Sequence, residues 1–244
     1  MPIDMNSQIK SSMTSLEREF AAITHNLANV NTVGYKRIVT SFSQTLGAQQ
    51  NGSSQDSGKA DLSQSLDFSQ GLSFIETSRS LDVALNGKGF FVIETENGPL
   101  YTRNGSFKVN QNGQIVDSAG RIVSGEGGPI TISADVPTSQ INVSYNGTVS
   151  ANGQQLGRFK IVDFGENEEK ILPVGESCFK ASEDIEPVTV ESVSMRQGYL
   201  ESSNVKMVDE VVSMIMVSRL YEASMKFVTA KKDSSNSLMS VAMG

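Results

Sequence analysis

Residues 6–30 read NSQIKSSMTSLEREFAAITHNLANV, with apolar side chains at Ile9, Met13, Leu16, Phe20, Ile23, Leu27 and Val30. The spacings alternate 4, 3, 4, 3, 4, 3, the a/d repeat of a helix that buries a narrow stripe against a partner helix. Such a helix is about 36 Å long. Gly34 stands just past the pattern, where helices commonly end in a left-handed residue. The far end of the chain answers this stretch. From about 203 to 244, Val208, Val211, Val212, Ile215, Leu220, Tyr221, Met225 and Val228 continue an apolar helical pattern, with Asn204 as the expected N-cap. Asp209 and Glu210 in the first turns and Lys231 and Lys232 near the end suit the helix dipole. Met214, Met216 and Val217 occupy other sides, so this helix is expected to have several neighbours.

Between the two helices the texture changes twice. Residues 41–70 are rich in Ser, Gln, Gly and Asn and read as an extended linker. From about 71 to 200, Asn-Gly pairs recur at 86–87, 97–98, 104–105, 112–113, 146–147 and 152–153. Asn-Gly favours type I′ hairpin turns, in which both central residues need positive φ. Short β-prone runs lie between them: Phe90–Ile93, Phe107–Val109, Ile115–Val116, Ile130–Ile132, Ile141–Val143 and Phe159–Val162. This pattern predicts an antiparallel, all-β domain. The expected fold is therefore α+β. A discontinuous coiled-coil domain is formed by 1–36 plus 203–244, 37–70 is an extended linker, and 71–202 is the inserted β domain.

Composition narrows the function. Net charge is −7, and residues 71–200 alone hold 16 acidic against 10 basic side chains, which argues against a nucleic-acid partner. His25 is the only histidine and Cys178 the only cysteine, so neither a metal centre nor an activated thiol can be assembled from familiar parts. Glu166-Asn167-Glu168-Glu169 lacks the spacing and Gly of a calcium loop, and Gly87-Lys88-Gly89 lacks the remainder of a phosphate loop. No apolar run approaches 18 residues, and Met1–Asn6 has neither the basic nor the apolar region of a secretory signal. The sequence thus points away from an enzyme, a cofactor or a small-molecule substrate. Two long apolar helices flanking a β domain with no evident need of them point to a partner surface.

Three stretches carry a family resemblance. Ile23-Thr24-His25-Asn26-Leu27-Ala28-Asn29-Val30-Asn31-Thr32-Val33-Gly34-Tyr35-Lys36 is similar to the N-terminal signature of bacterial flagellar rod and hook proteins, through Asn26, Asn29, Asn31, Thr32, Gly34 and Tyr35. Leu81–Val92, continued by Tyr101-Thr102-Arg103-Asn104-Gly105-Ser106-Phe107, resembles the start of that family's first β domain. Gly198-Tyr199-Leu200-Glu201-Ser202-Ser203-Asn204-Val205, followed by Glu210, Met214-Ile215, Arg219 and Tyr221-Glu222, resembles the C-terminal helix that pairs with the first.

The resemblance implies a structural subunit of the flagellar basal-body rod. Its length and single β domain fit a proximal-rod subunit, with a distal-rod subunit as the alternative, rather than the longer hook protein. The implied partners are copies of itself, other rod and hook proteins, and the flagellar type III export apparatus, which would deliver it to the periplasm without a cleaved signal peptide. Ile9 to Val30 are expected to pack against Val208 to Val228 along the inner layer of a helical tube, the acidic β domain facing outward. Leu16→Asp or Phe20→Asp should then block incorporation while leaving the β domain folded. An exported β-rich adhesin with a helical oligomerisation stalk is the reading from another class.

Overall fold

In the computed structural model, residues 5–43, 61–182, 184–190 and 194–243 are described. Helix α1 spans Met5–Ala28 and helix α2 spans Met207–Met243, with an antiparallel β region between them. The chain divides into two compact units, one from 1–28, 38–65 and 206–244, the other from 29–37 and 66–205. This differs from a simple split into helices, linker and insert. Residues 29–37 cluster with the β unit, and the described residues 38–43 and 61–65 cluster with the helices. The stretch read as a linker forms two strands, Arg37–Ser43 and Asp61–Asp67, that pair with each other; residues 44–60 of that stretch lie outside the described residues.

In the helical unit, α1 and α2 run antiparallel: Asn26 meets Glu210, and Glu17 meets Tyr221. The helix α1 stops at Ala28, so Val30 lies outside it. Gly34 is left-handed (φ +66°) but sits several residues beyond the helix end. It sits inside the second of two turns, closed by Thr32 N–H on the Asn29 carbonyl and Tyr35 N–H on the Thr32 carbonyl.

The β unit is organised around the strand Phe90–Glu94. Its side chains alternate between two cores, as strand geometry requires. Phe91 and Ile93 join Leu81, Val83, Leu85, Phe107, Ile115 and Val123 on one side, and Phe90 and Val92 join Phe68, Tyr101, Val162, Phe164 and Phe179 on the other. A strand buried on both faces loses the polar alternation of an exposed sheet, which is why its sequence reads Phe-Phe-Val-Ile. Edge-to-face rings tie each core together, Phe91 to Phe107 at 5.0 Å and Tyr101 to Phe164 at 4.8 Å between centroids. Phe68, buried here, shows that the β unit begins before residue 71.

One strand path runs Ile171–Gly175, Cys178–Ala181, Leu100–Thr102, Phe90–Glu94, Ile122–Gly125, Ile115–Val116 and Lys108–Val109. A separate three-stranded sheet joins Ile141–Val143, Thr148–Ala151 and Gln154–Arg158. The unit is closed by its own last strands: Ser194–Gln197 pairs with Val83–Asn86, and Tyr199–Glu201 pairs with Phe74–Glu76. Of the Asn-Gly pairs, only 152–153 has positive φ at both residues (53° and 78°), the type I′ geometry expected of them all. Gly105 serves a different need, because a Cβ there would lie 1.7 Å from the Val83 carbonyl oxygen.

Candidate functional site

The α1–α2 interface buries Ala22, Ile23 and Asn26 of the first helix and Glu210 and Val217 of the second. Beside it lies a groove lined by Leu16, Phe20, Val217 and Tyr221 with Glu17 and Glu222 at the rim. Of the expected seam, Ile9, Met13, Leu16 and Leu27 are half-buried, Ile23 is buried, and Phe20 is exposed at 40%. Val30, also half-buried, belongs with the β unit.

The second helix departs from expectation. Val208, Val211, Ile215, Leu220, Met225 and Val228 are exposed, and of the residues named for this face only Tyr221 is half-buried. Glu210, Val217, Tyr221 and Ser224 form the row turned toward α1, while Val208, Val211, Val212 and Ile215 form a second row about half a turn away. Both rows have heptad-like spacing, so periodicity alone cannot tell which one faces inward. The chain therefore carries an outward apolar row, with Val208 at 73% and Ile215 at 57% exposure, that its own first helix leaves uncovered.

The signature residues have a different job: they hold the segments that flank the helices. The Asn26 amide pairs with the backbone of the next strand as another strand would, its Oδ1 accepting from Ile38 N–H at 2.8 Å and its Nδ2 donating to the Ile38 carbonyl at 2.9 Å. Nδ2 also lies 3.4 Å from Glu210 Oε2. Asn29 Oδ1 accepts from the Thr32 hydroxyl, Tyr35 is buried, and Asn31 is exposed.

The β unit contains a buried charge cluster at which all three signature stretches meet. Lys36 Nζ lies 2.8 Å from Glu201 Oε1, and Arg103 NH1 lies 3.3 Å from Glu201 Oε2. The same carboxylate accepts from Gly71 N–H at 2.7 Å, and the Glu201 carbonyl accepts from Gly34 N–H at 2.9 Å. Lys36 donates to the Ser69 carbonyl and Arg103 to the Gly87 carbonyl, with the guanidinium 5.2 Å from the Phe90 ring centre. Burial pushes both cations below their usual pKa, and Glu201 pulls them back in part. Nearby, Asn204 does not cap α2. Its Oδ1 accepts from Arg37 N–H, and its Nδ2 donates to the Asp67 carbonyl and the Ser69 hydroxyl.

Lys36, Arg103, Glu201, Asn204, Glu210 and Val217 are thus structural determinants that a search for catalytic groups passes over. For Glu201 and Glu210 the available signal was a charged residue inside an otherwise apolar strand or helix face. His25 is exposed on α1, and the Cys178 thiol is buried with Arg121 NH2 donating to its sulfur at 3.2 Å. Among the described residues no group of three or more His, Cys, Asp or Glu side chains converges, and no helix is long and apolar enough to cross a membrane.

Two family models match the chain: the flagellar hook protein FlgE/F/G D1 domain over residues 84–151, and the flagellar basal body rod FlgEFG protein C-terminal region over 196–241. Curated relatives match nearly end to end. The flagellar basal-body rod protein FlgF of Caulobacter vibrioides is 30% identical over 221 residues, covering 89% of each chain. The FlgG rod protein of Buchnera aphidicola is 31% identical over 247 residues, covering 90% of this chain and 92% of the relative. FlgF of Mesorhizobium japonicum is 31% identical over 216 residues, covering 87% and 86%.

Proposed function

The chain belongs to the flagellar basal-body rod and hook protein family, and from that premise we propose that it is a subunit of the proximal rod, of the FlgF type. It is a structural protein of the flagellum, not an enzyme. It leaves the cell through the flagellar type III export apparatus and stacks with copies of itself and with other rod and hook proteins in a tube across the periplasm. A head-to-tail contact whose rotation does not close gives a helical tube, which can transmit torque and conduct exported subunits along its bore. The single observation that carries this reading is the outward apolar row of α2, Val208, Val211, Val212 and Ile215. We place α1 and α2 in a discontinuous coiled-coil layer lining the bore, where each outward row is covered by a neighbouring subunit.

FlgF relatives that match nearly end to end support the proximal type. The distal, FlgG-like reading is the second, because FlgG relatives match at the same level of identity as FlgF. Deletion of the gene in its native organism, followed by electron microscopy of isolated basal bodies, tests both. A ring without a completed rod or hook is expected, and the length of the rod stub separates proximal from distal. Intact hooks and filaments would overturn the axial role.

A further inference from the structure

The cluster around Glu201 has an uneven charge count. Two buried cations, Lys36 and Arg103, share one buried carboxylate. Asp67, Asp163 and Glu168 also face the pair, but they act through space and form no hydrogen bond or ion pair with either cation. Each cation comes from a different segment. Lys36 is the penultimate residue of the strap 29–37 within the β unit, while Arg103 follows the strand Leu100–Thr102. Glu201 ends the strand Tyr199–Glu201, late in the chain. Its carboxylate and carbonyl also take the N–H groups of Gly71 and Gly34, so one residue fixes the strap, the start of the unit and the guanidinium together.

We propose that Glu201 is an electrostatic latch: the strap docks on the β unit only when this carboxylate neutralises Lys36 and Arg103, and in its absence the two cations drive the strap off. The reason is the asymmetry of buried charge. A carboxylate hydrogen-bonded to two cations offsets their desolvation, whereas two like charges left in the same dry space oppose closure by several times the worth of an ordinary contact. The latch works as a test of completeness. A chain that lacks its C-terminal strands does not merely miss some contacts; it carries an uncompensated pair of positive charges that keeps residues 29–37 away from the sheet. The inference concerns the β unit alone and does not depend on the rod assignment.

The test is hydrogen exchange and denaturant unfolding of the full-length chain with Glu201→Gln, Lys36→Met and the double variant. Glu201→Gln should raise exchange at the Gly34 and Gly71 amides on the order of 100- to 1,000-fold and lower the unfolding midpoint. Lys36→Met should stay near wild type, because Arg103 and Glu201 then balance one to one. The double variant should recover much of the lost protection. Unchanged Gly34 and Gly71 exchange in Glu201→Gln would overturn the latch. So would a double variant no better protected than Glu201→Gln, since Glu201 would then act only as a hydrogen-bond acceptor. Should Glu201→Gln fail to fold, recovery of a folded chain on adding Lys36→Met supports the latch, and failure of both refutes it.

Discussion

Replacing Ile215 with Asp separates the stability of the single chain from the stability of the assembly. In the chain Ile215 is 57% exposed and turned away from α1, so the substitution should change monomer stability by no more than about 0.5 kcal/mol. In an assembly that covers the outward row, the remaining surface of Ile215 would be buried. Full burial of an isoleucine side chain is worth about 1.5–3 kcal/mol, so a little over half of it contributes about 1–2 kcal/mol per subunit. Asp forfeits that contribution and adds an unpaired carboxylate to a dry contact, for a total of about 4 kcal/mol or more. Each subunit contact would weaken on the order of 1,000-fold. Thermal unfolding followed by circular dichroism reads the monomer, while swimming and electron microscopy of basal bodies, with the variant as the sole copy, read the assembly. Ile23→Ala is the counterpart: at 5% exposure within the helix pair, it should cost about 2–5 kcal/mol in the single chain. Completed rods with Ile215→Asp would refute the reasoning. A large drop in its monomer melting temperature would do so too, by placing Ile215 in an intramolecular contact.

Gly105→Ala should destabilise the β unit by about 3 kcal/mol or more, because its Cβ would strike the Val83 carbonyl. Gly120→Ala, left-handed but facing open space, should cost only about 1–2 kcal/mol in the same denaturant titration. A fragment of 71–200 should be markedly less stable than one of 29–205, since it lacks Lys36, Phe68 and Glu201; equal unfolding midpoints would refute the importance of those segments. Burial raises the Cys178 thiol pKa, with Arg121 opposing in part. A thiol reagent at pH 8 should therefore modify Cys178 only as fast as the protein opens, and prompt labelling of the native chain would contradict its burial.

The two helices and the β character of the middle were legible because hydrophobic periodicity is local. The division of labour along α2 was not. Glu210 and Val217 face the partner while Val208 and Ile215 face outward, and both sets repeat at a helical spacing. The strap was illegible for another reason. Lys36 and Glu201 are 165 positions apart in the chain, and hydropathy places both at the surface; only the fold brings them into one dry site. Asn204 shows the same limit: it lies two residues before the N-cap position of α2, and its side chain is taken by Arg37 and Asp67 instead. The Asn-Gly pairs at 97–98, 112–113, 146–147 and 152–153 marked turns in place, while 104–105 did not and the type was overstated, because positive φ at Gly alone suits longer loops as well.

The strands that close the β unit have a kinetic consequence. Ser194–Gln197 and Tyr199–Glu201 pair with partners more than 100 residues earlier in the chain. Loop-closure entropy must be met before such contacts give any return, so folding of this unit is slow compared with formation of a local hairpin or helix. Until it finishes, the Phe-rich cores around Phe90 and Phe91 stay open to water and to other chains. The interval between synthesis and closure is the period in which the chain is most prone to aggregate.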